Sequence, residues 1–298
     1  MTTLLYDDDV RARLTPELAV AGARQALVDA HQGRLHAPPR LRADLGDAAL
    51  VFTAGGMADG ARGVRIYQTG IESSDQVVLV WDADGRLAGC VVGVELGAAR
   101  TGALGAAAAG ALARPDARVV AVVGSGRQAW AQLWALTAVR SIAEVRIHSP
   151  TASHRERFAE RAREELGLDA AAVPDAHAAV ESADVVILAT RSEQPVIEGG
   201  WVAPGAHVNT VGPKAAGACE TPPELADVAA VVVSDSPAQA AAYGEPFFTS
   251  RELTHLGAVL CGDAPGRTSE ADITLYASTG LAGSEVVIAS RLLSEAPG

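Results

Sequence analysis

The feature that most constrains this chain is a glycine turn placed directly after a short apolar run. Residues 119–123 read VVAVV, and Gly124, Gly126 and Ala129 follow in the spacing GxGxxA. In a strand, turn and helix unit this spacing lets backbone N–H groups meet a pyrophosphate at the positive end of the helix. Gly124 is expected to make the tight turn, and Gly126 to let the ligand approach closely. The motif therefore predicts a Rossmann domain that binds a nicotinamide dinucleotide.

Strand-like and helical patterns alternate after this turn. Helical periodicity covers residues 127–139 and 153–166. Apolar runs typical of strands occupy residues 118–123, 144–148, 184–190, 207–211 and 228–234. Such alternation is typical of a parallel sheet covered by helices on both faces. We therefore expect an α/β fold in which residues 113–270 form a doubly wound Rossmann domain.

The residues before the turn follow another pattern. They predict a helix over residues 16–32 and a buried, Ala- and Gly-rich helix over residues 101–113. Strand-like runs occupy residues 49–53, 64–67, 77–82 and 87–94, with a hairpin signal at 82–85. Residues 273–293 read as a helix that packs back onto this region. The sequence thus predicts an α+β substrate domain over residues 1–112, joined by the C-terminal segment 271–298.

Composition restricts the ligands that this chain can bind. It has 36 acidic and 24 basic residues, a formal net charge of −12 and no basic run, which argues against a nucleic-acid partner. The apolar segment 101–113 is far shorter than the roughly 20 residues that span a bilayer. Residues 1–9 lack the features of a secretory signal, and the three cysteines have no zinc spacing. We expect a cytoplasmic protein with a small-molecule ligand, no membrane partner and no metal.

The end of the second strand of the nucleotide domain indicates which dinucleotide is expected. A site that prefers NAD places an Asp or Glu there, on the ribose hydroxyls. This chain has no carboxylate at that point, and the hydroxyls of Ser149, Thr151 and Ser153 can instead bind a 2′-phosphate. Nearby basic residues that can add positive charge are Arg127, His154 and Arg155. NADP(H) is therefore favoured over NAD(H), which stays open as the alternative.

Several motifs share their order and spacing with a known family. They are PPR at 38–40, GVR at 63–65, ART at 99–101, VGSGRQA at 123–129, HVN at 207–209 and GRTS at 266–269. On these motifs the chain resembles the ornithine cyclodeaminase/μ-crystallin family over most of its length. The resemblance implies a homodimer built through the N-terminal domain. It also implies hydride chemistry on amino acids, imines or 2-oxo acids.

The same resemblance implies the residues that bind the substrate. The family's carboxylate-binding arginines fall on Arg40 and Arg100, two planar forks suited to bidentate recognition. The family's active-site lysine falls on Arg65, which stays protonated and so binds an anion but hardly transfers a proton. Tyr67 and Glu72, on or just after the same strand, are further candidates. Arg65 therefore belongs to both the candidate catalytic set and the candidate substrate-binding set.

A second departure from the family concerns Lys214. In ornithine cyclodeaminases an aspartate follows the fifth strand of the nucleotide domain, whereas this chain reads VGPK at 211–214. An ammonium group there disfavours a bound cation such as ornithine. Together with the three arginines it favours an anionic substrate. Lys214 is the expected general acid that protonates the product as hydride is transferred.

These features predict an enzyme that reduces a C=N bond, or oxidises the matching amine, in a small carboxylate-bearing imine, amino acid or 2-oxo acid. Two alternatives stay open: an ornithine cyclodeaminase that releases ammonia with tightly bound NAD, and a catalytically silent NADP-binding protein similar to μ-crystallin. The residues expected to contact the cofactor are Thr101, Gly124, Ser125, Gly126, Arg127, Gln128, Ser149, Thr151, Thr190, Arg191, Val211 and Gly212.

Overall fold

The chain folds into two compact units in the computed structural model. The model describes residues 2–70, 75–243 and 246–294. Glu72, one of the substrate-site candidates, lies outside the described residues. One unit consists of residues 1–100 and 280–298, and the other consists of residues 101–279. The first unit is therefore assembled from two segments that lie far apart in the sequence.

The elements up to the dinucleotide turn are mostly strands. In chain order they are β1 (Thr3–Leu5), α1 (Asp7–Arg13), α2 (Pro16–His31), β2 (Leu41–Asp44), β3 (Ala49–Gly56), β4 (Arg62–Thr69), β5 (Gln76–Trp81), β6 (Leu87–Gly93), α3 (Glu95–Leu112) and β7 (Val119–Val123). The buried helix predicted over residues 101–113 is present as α3 but begins six residues earlier than predicted, at Glu95. No helix in the described part of the chain is both long and apolar enough to cross a membrane.

Helices and strands alternate from the turn onwards, as the periodicity predicts. The first of these elements are α4 (Arg127–Leu136), β8 (Glu144–His148), α5 (Ala152–Leu166), β9 (Ala170–Ala172), α6 (Ala176–Val180), β10 (Val185–Leu188), a 3₁₀ turn (Gly199–Trp201) and β11 (His207–Thr210). The later ones are β12 (Lys214–Ala215), β13 (Ala218–Cys219), α7 (Pro223–Val228), β14 (Val231–Ser234), α8 (Pro237–Ala241), β15 (Thr254–His255), α9 (Leu256–Cys261), β16 (Thr274–Ala277) and α10 (Ser284–Ser294).

The first unit contains a six-stranded sheet in the order β1-β6-β5-β4-β3-β2. Its ladders are antiparallel except for the one between β1 and β6. Burial alternates along β3, so that strand packs one face against the unit's interior. Helix α10 packs against α2 and the sheet, and buries Val286, Val287 and Ile288. This arrangement is the α+β architecture that the sequence predicts for this region.

The second unit contains an eight-stranded, wholly parallel sheet in the order β15-β14-β16-β11-β10-β7-β8-β9. Alternate residues of β7 enter two apolar clusters on opposite faces of the sheet. One cluster includes Leu133 of α4 and Phe158 of α5, and the other includes Val180 of α6 and Leu225 of α7. The predicted doubly wound Rossmann fold is therefore confirmed. Strand order reverses between β7 and β10, where such sheets bind ligands beyond their carboxyl ends.

The helix predicted over residues 273–293 is wrong in its first part. Residues 274–277 form β16, which lies between β11 and β14 and is buried along its whole length. The helix begins only at Ser284. A short apolar run buried on both faces of a parallel sheet has no alternation, so periodicity alone does not separate it from a buried helix. Residues 101–112 and 271–279, which the sequence had joined to the first domain, cluster with the second unit.

Candidate functional site

The turn between β7 and α4 leaves room beside its backbone. Gly124 has φ of +118°, and a Cβ there would collide with the carbonyl oxygen of Ala189, so the position requires glycine. Gly126 is the N-cap of α4. Apart from its two neighbours in the chain, no described residue has a heavy atom within 4 Å of the place that a Cβ on Gly126 would occupy. No side chain in the described ranges caps α4. Its first N–H groups therefore fit an anionic ligand such as a pyrophosphate.

Three hydroxyl and amide side chains of the predicted cofactor set lie around this turn. The Ser125 hydroxyl donates to the Ser149 hydroxyl at 3.0 Å, which links the turn to the end of β8. Ser149 is buried and donates in turn to the carbonyl oxygen of Thr151 at 3.4 Å. The Oε1 atom of Gln128 is buried, and the described residues supply no donor to it. This amide oxygen is therefore available to a donor on a ligand.

The remaining predicted groups near β8 and α3 are more scattered. Arg155 donates from Nη1 to the carbonyl oxygen of Ser149 at 3.0 Å. Three other candidates, Arg127, Thr151 and Arg191, are exposed. The carbonyl oxygen of Thr101, in α3, accepts a hydrogen bond of 2.9 Å from the Gln132 side chain. Of the side chains proposed to bind a 2′-phosphate, Ser149 and Thr151 thus lie on the β8–α5 connection, and Ser153, His154 and Arg155 lie in the first turn of α5. Arg155 is hydrogen-bonded to the backbone of that connection.

Thr190, Val211 and Gly212, three predicted cofactor contacts, are all held by one carboxylate that the sequence did not single out. Glu220 Oε2 accepts from the backbone N and the hydroxyl of Thr190, each at 2.7 Å. Its Oε1 accepts from the backbone N atoms of Val211 at 3.0 Å and Gly212 at 2.5 Å, and from the Thr210 hydroxyl at 2.9 Å. Glu220 therefore joins the loop after β10 to the loop after β11.

Lys214 is buried at the start of the β12–β13 hairpin rather than exposed. Its Nζ donates to the carbonyl oxygen of Gly212 at 2.5 Å. Burial lowers the pKa of Lys214 to about 8, and the charges of Glu220 and Asp235 oppose that shift. A lysine with this pKa is protonated at neutral pH and releases its proton more readily than an exposed lysine.

The first unit brings Arg65 and Arg100 together on a carboxylate, Glu285 of α10. Arg65 Nη1 donates to Glu285 Oε1 at 2.8 Å, and Arg100 Nη2 donates to the same oxygen. Burial opposes the ionisation of Glu285, but Arg100 and Arg65 outweigh it and hold the pKa of the carboxyl below its usual value. Glu285 was not among the predicted residues, and it offsets one of the positive charges expected at the site.

Arg40 and Tyr67 complete this cluster. Arg65 donates from Nε and Nη2 to Gln76 Oε1, at 3.0 and 2.7 Å, and its guanidinium lies 4.2 Å from the centre of the Tyr67 ring. Arg40 Nη1 donates to the Tyr67 hydroxyl at 3.4 Å. A Cβ on Gly280 would contact both Arg40 and Arg100, so these two guanidinium groups approach the same point of the backbone. The predicted substrate residues of the first unit therefore form one group.

A sequence comparison assigns this chain to a family. The profile of the ornithine cyclodeaminase/mu-crystallin family matches residues 7–296. The chain belongs to this family. The resemblance inferred from the motifs is thereby confirmed.

Two relatives with named activities align with part of the chain. The alanine dehydrogenase of Archaeoglobus fulgidus is 34% identical over 205 residues, which cover 66% of this chain and 62% of that protein. The delta(1)-pyrroline-2-carboxylate reductase of Bacillus cereus is 31% identical over 206 residues, covering 66% of this chain and 63% of that protein. The aligned stretch thus spans less than two thirds of the length of these relatives.

A solved structure shows the same fold over nearly the whole chain. An archaeal alanine dehydrogenase dimer with bound NAD is 25% identical, with a TM-score of 0.86. The match covers 98% of this chain and 95% of that chain. The proteins similar to this chain thus include a dehydrogenase with bound NAD and a pyrroline-carboxylate reductase.

The residue composition of the chain, which the motifs do not reveal, singles out Lys214. It is the only lysine in the sequence, and the other 23 of the 24 basic residues are arginines. A chain that otherwise uses arginine for the positive charges of its side chains has one side-chain amine, and that amine is buried and has a pKa of about 8. Counting residue types, rather than reading motifs, is the signal that singles out this position.

Proposed function

We propose that this protein is an NADP(H)-dependent reductase of C=N bonds in small, carboxylate-bearing substrates, and that it oxidises the matching amines in reverse. The observation that carries the proposal is the pairing of two features in one chain. The second unit has a glycine turn with uncapped N–H groups, and the first has a cluster of three arginines. The activities of the alanine dehydrogenase and pyrroline-carboxylate reductase relatives support it.

The charge of the arginine cluster favours an anionic substrate. Arg65 and Arg100 share the carboxylate of Glu285, and Arg40 lies in the same group through Tyr67, so the named arginines of this group outnumber the one carboxylate that they contact in the described residues. Arg65 is already engaged by Gln76 and Glu285. Arg40 and Arg100 are the proposed partners of the substrate carboxylate because the family resemblance implies that role for them and their guanidinium groups approach Gly280 together. Arg65 and Tyr67 support them.

Lys214 is the proposed proton donor. When bound, a nicotinamide dinucleotide would supply a hydride to the carbon of the C=N bond. The nitrogen then needs one proton, and the ammonium group of Lys214 can give it, which leaves a neutral amine that solvent protonates again. The lowered pKa of Lys214, about 8, suits this role because the group is charged before the transfer and releases its proton readily. Arg65, at the family's lysine position, supplies positive charge only.

The decisive experiment replaces Lys214 with methionine, which keeps an unbranched side chain without the amine. Dinucleotide binding is followed by the fluorescence of the reduced cofactor, and turnover is measured on a panel of cyclic imine carboxylates and 2-oxo acids with ammonia. We expect dinucleotide affinity within about threefold of the unmodified protein and turnover lower by roughly 10² to 10⁴. A protein that binds the cofactor but turns over no substrate would favour the silent binding protein. Ammonia release from ornithine without added cofactor would favour a cyclodeaminase.

The preference for NADP(H) rests on the connection after β8. Ser149 and Thr151 supply hydroxyls there, and Arg155 supplies a charge close to the Ser149 carbonyl. Arg155→Ala is expected to weaken NADPH binding by about tenfold and to leave NADH binding unchanged, because only NADPH carries the 2′-phosphate. Arg157→Ala, an exposed arginine on the same helix, is the matched control. Equal affinities of the unmodified protein for NADPH and NADH would overturn this preference.

Two further properties belong to the proposal. The homodimer implied by the family resemblance is supported by the dimeric alanine dehydrogenase structure. A cytoplasmic location is proposed with it, because Cys90, Cys219 and Cys261 are far apart in the sequence and odd in number, which is not the pattern of a disulfide framework. Sedimentation or light scattering of the purified protein tests the dimer directly.

A further inference from the structure

We infer that Glu220 is the positioning residue of the second unit: its carboxylate holds the two loops of the proposed cofactor site and, through Gly212, the ammonium group of Lys214. The inference rests on the proposed function, which assigns those two loops to the cofactor site. It concerns a side chain that touches neither substrate nor cofactor in the proposal. Glu220 acts on residues that do.

Glu220 reaches these loops because of the hairpin that precedes it. In the ladder of β12 and β13, Lys214 pairs with Cys219 and Ala215 with Ala218, and the turn between them contains Gly217 with φ of +84°. The chain therefore returns beside the loop after β11 as soon as the hairpin ends, and Glu220 is the next residue. Its own carbonyl oxygen accepts from the backbone N of Val196 at 2.9 Å, beyond the loop after β10. The carboxylate is thus fixed between both loops.

All five donors to Glu220 are committed to it. The Thr190 hydroxyl accepts a hydrogen bond from Ser192 N, and the Thr210 hydroxyl accepts one from the Thr221 hydroxyl, so both hydroxyl protons point to the carboxylate. The three remaining donors are backbone N–H groups. A side chain with fewer acceptor sites leaves at least one of these donors without a partner in a fully buried place.

Gly212 links Glu220 to Lys214. Its backbone N donates to Glu220, and its carbonyl oxygen accepts from Lys214 Nζ. A Cβ on Gly212 would occupy the space of the Glu220 carboxylate and of the Thr190 carbonyl oxygen. The residue is therefore glycine because both groups approach its backbone closely. Any movement of Glu220 moves the carbonyl oxygen that holds the ammonium group.

The test compares Glu220→Gln with Glu224→Gln, a matched change at an exposed position on α7. The first two readouts use the protein without cofactor. In Glu220→Gln we expect the amides of Thr190, Val211 and Gly212 to exchange hydrogen about tenfold faster or more, because the new NH₂ group faces donors. The pKa of Lys214 is expected to move below about 8, since a charge that raises it is removed. Because Lys214 is the only lysine, ¹³C-labelled lysine gives one side-chain NMR signal to titrate.

The third readout is dinucleotide affinity, which we expect to fall about tenfold in Glu220→Gln and to stay unchanged in Glu224→Gln. If the Glu220→Gln variant does not fold, Thr210→Val removes a single donor, and the amides of Val211 and Gly212 should still exchange a few times faster. Unchanged amide exchange and an unchanged Lys214 titration in a folded variant would overturn the inference. Failure of the unmodified protein to bind any nicotinamide dinucleotide would instead overturn the proposed function, while the first two readouts still decide the role of Glu220.

Discussion

Glu285 in the first unit and Glu220 in the second are both fully buried carboxylates, yet different groups stabilise them. Glu285 contacts the guanidinium groups of Arg65 and Arg100. Glu220 accepts from three backbone N–H groups and two hydroxyls, none of which is charged. A carboxylate paired with cations becomes part of a charged cluster whose surplus can attract an anion. A carboxylate surrounded by dipoles orders the backbone and adds one negative charge near a single lysine.

The largest effect should come from the first of these carboxylates. Glu285→Gln leaves Arg65 and Arg100 buried without their counter-ion, and breaking such a pair from one side costs about 3–5 kcal/mol of unfolding free energy. Urea denaturation at neutral pH measures the loss. The control is Glu165→Gln, which breaks the exposed ion pair with Arg161 and should cost only about 0.5 kcal/mol. Equal losses in the two variants would show that Glu285 is not the counter-ion that the distances indicate.

A smaller effect on the free energy of unfolding should come from Lys214, the lysine close to Glu220, as the pH is raised. The pKa of Lys214 is about 8 in the folded chain and 10.5 for an unperturbed lysine, so between these values the unfolded chain binds one more proton. Stability should therefore rise with pH across this window, by about 3 kcal/mol in total, relative to a protein without the amine. Denaturant unfolding of the unmodified protein and of Lys214→Met, between pH 7 and 10.5, measures the difference. Parallel curves for the two proteins would mean that Lys214 titrates normally.

The smallest effect should come from exchanging one cation for another at Arg65. Arg65→Lys keeps the positive charge, but an ammonium group does not reproduce the fork that reaches Gln76 and Glu285 while stacking on Tyr67. We expect a loss of about 1–2 kcal/mol of unfolding free energy. Arg62→Lys, at an exposed position of the same strand, should change stability by less than about 0.5 kcal/mol. If both variants unfold at the same urea concentration, the geometry of the fork at Arg65 does not contribute.

The sequence predicted most of the second unit because its signals are local. The runs at 118–123 and 144–148 and the GxGxxA turn each fall within a few residues of the elements that form. It failed at β16, where a short, fully buried run carries no alternation. The bounds of the N-terminal helix and of the four predicted strands of the first unit were also close to those observed.

The sequence predicted the basic residues of the candidate site but not its two buried carboxylates. Arg40 and Arg100 could be named because the family resemblance implies them, and Arg65 and Lys214 because they depart from the residues that the resemblance leads one to expect there. The two carboxylates could not, since Glu285 lies 220 residues from Arg65 and no local pattern marks it. Glu220 follows a two-residue strand and looks like an ordinary exposed acid until the fold surrounds it with donors. Long-range pairing of single residues is the information that one sequence does not carry.

The origin of the first unit in two distant segments also sets an order of events during synthesis. The ribosome releases residues 1–100 long before α10, yet α10 provides Glu285 and apolar residues that pack against the sheet. Residues 101–279, by contrast, form a continuous stretch that holds all eight strands of its own sheet. We therefore expect the unit made later to finish folding first. Until α10 emerges, Arg65 and Arg100 of the first unit lack Glu285, the carboxylate that they contact in the folded chain.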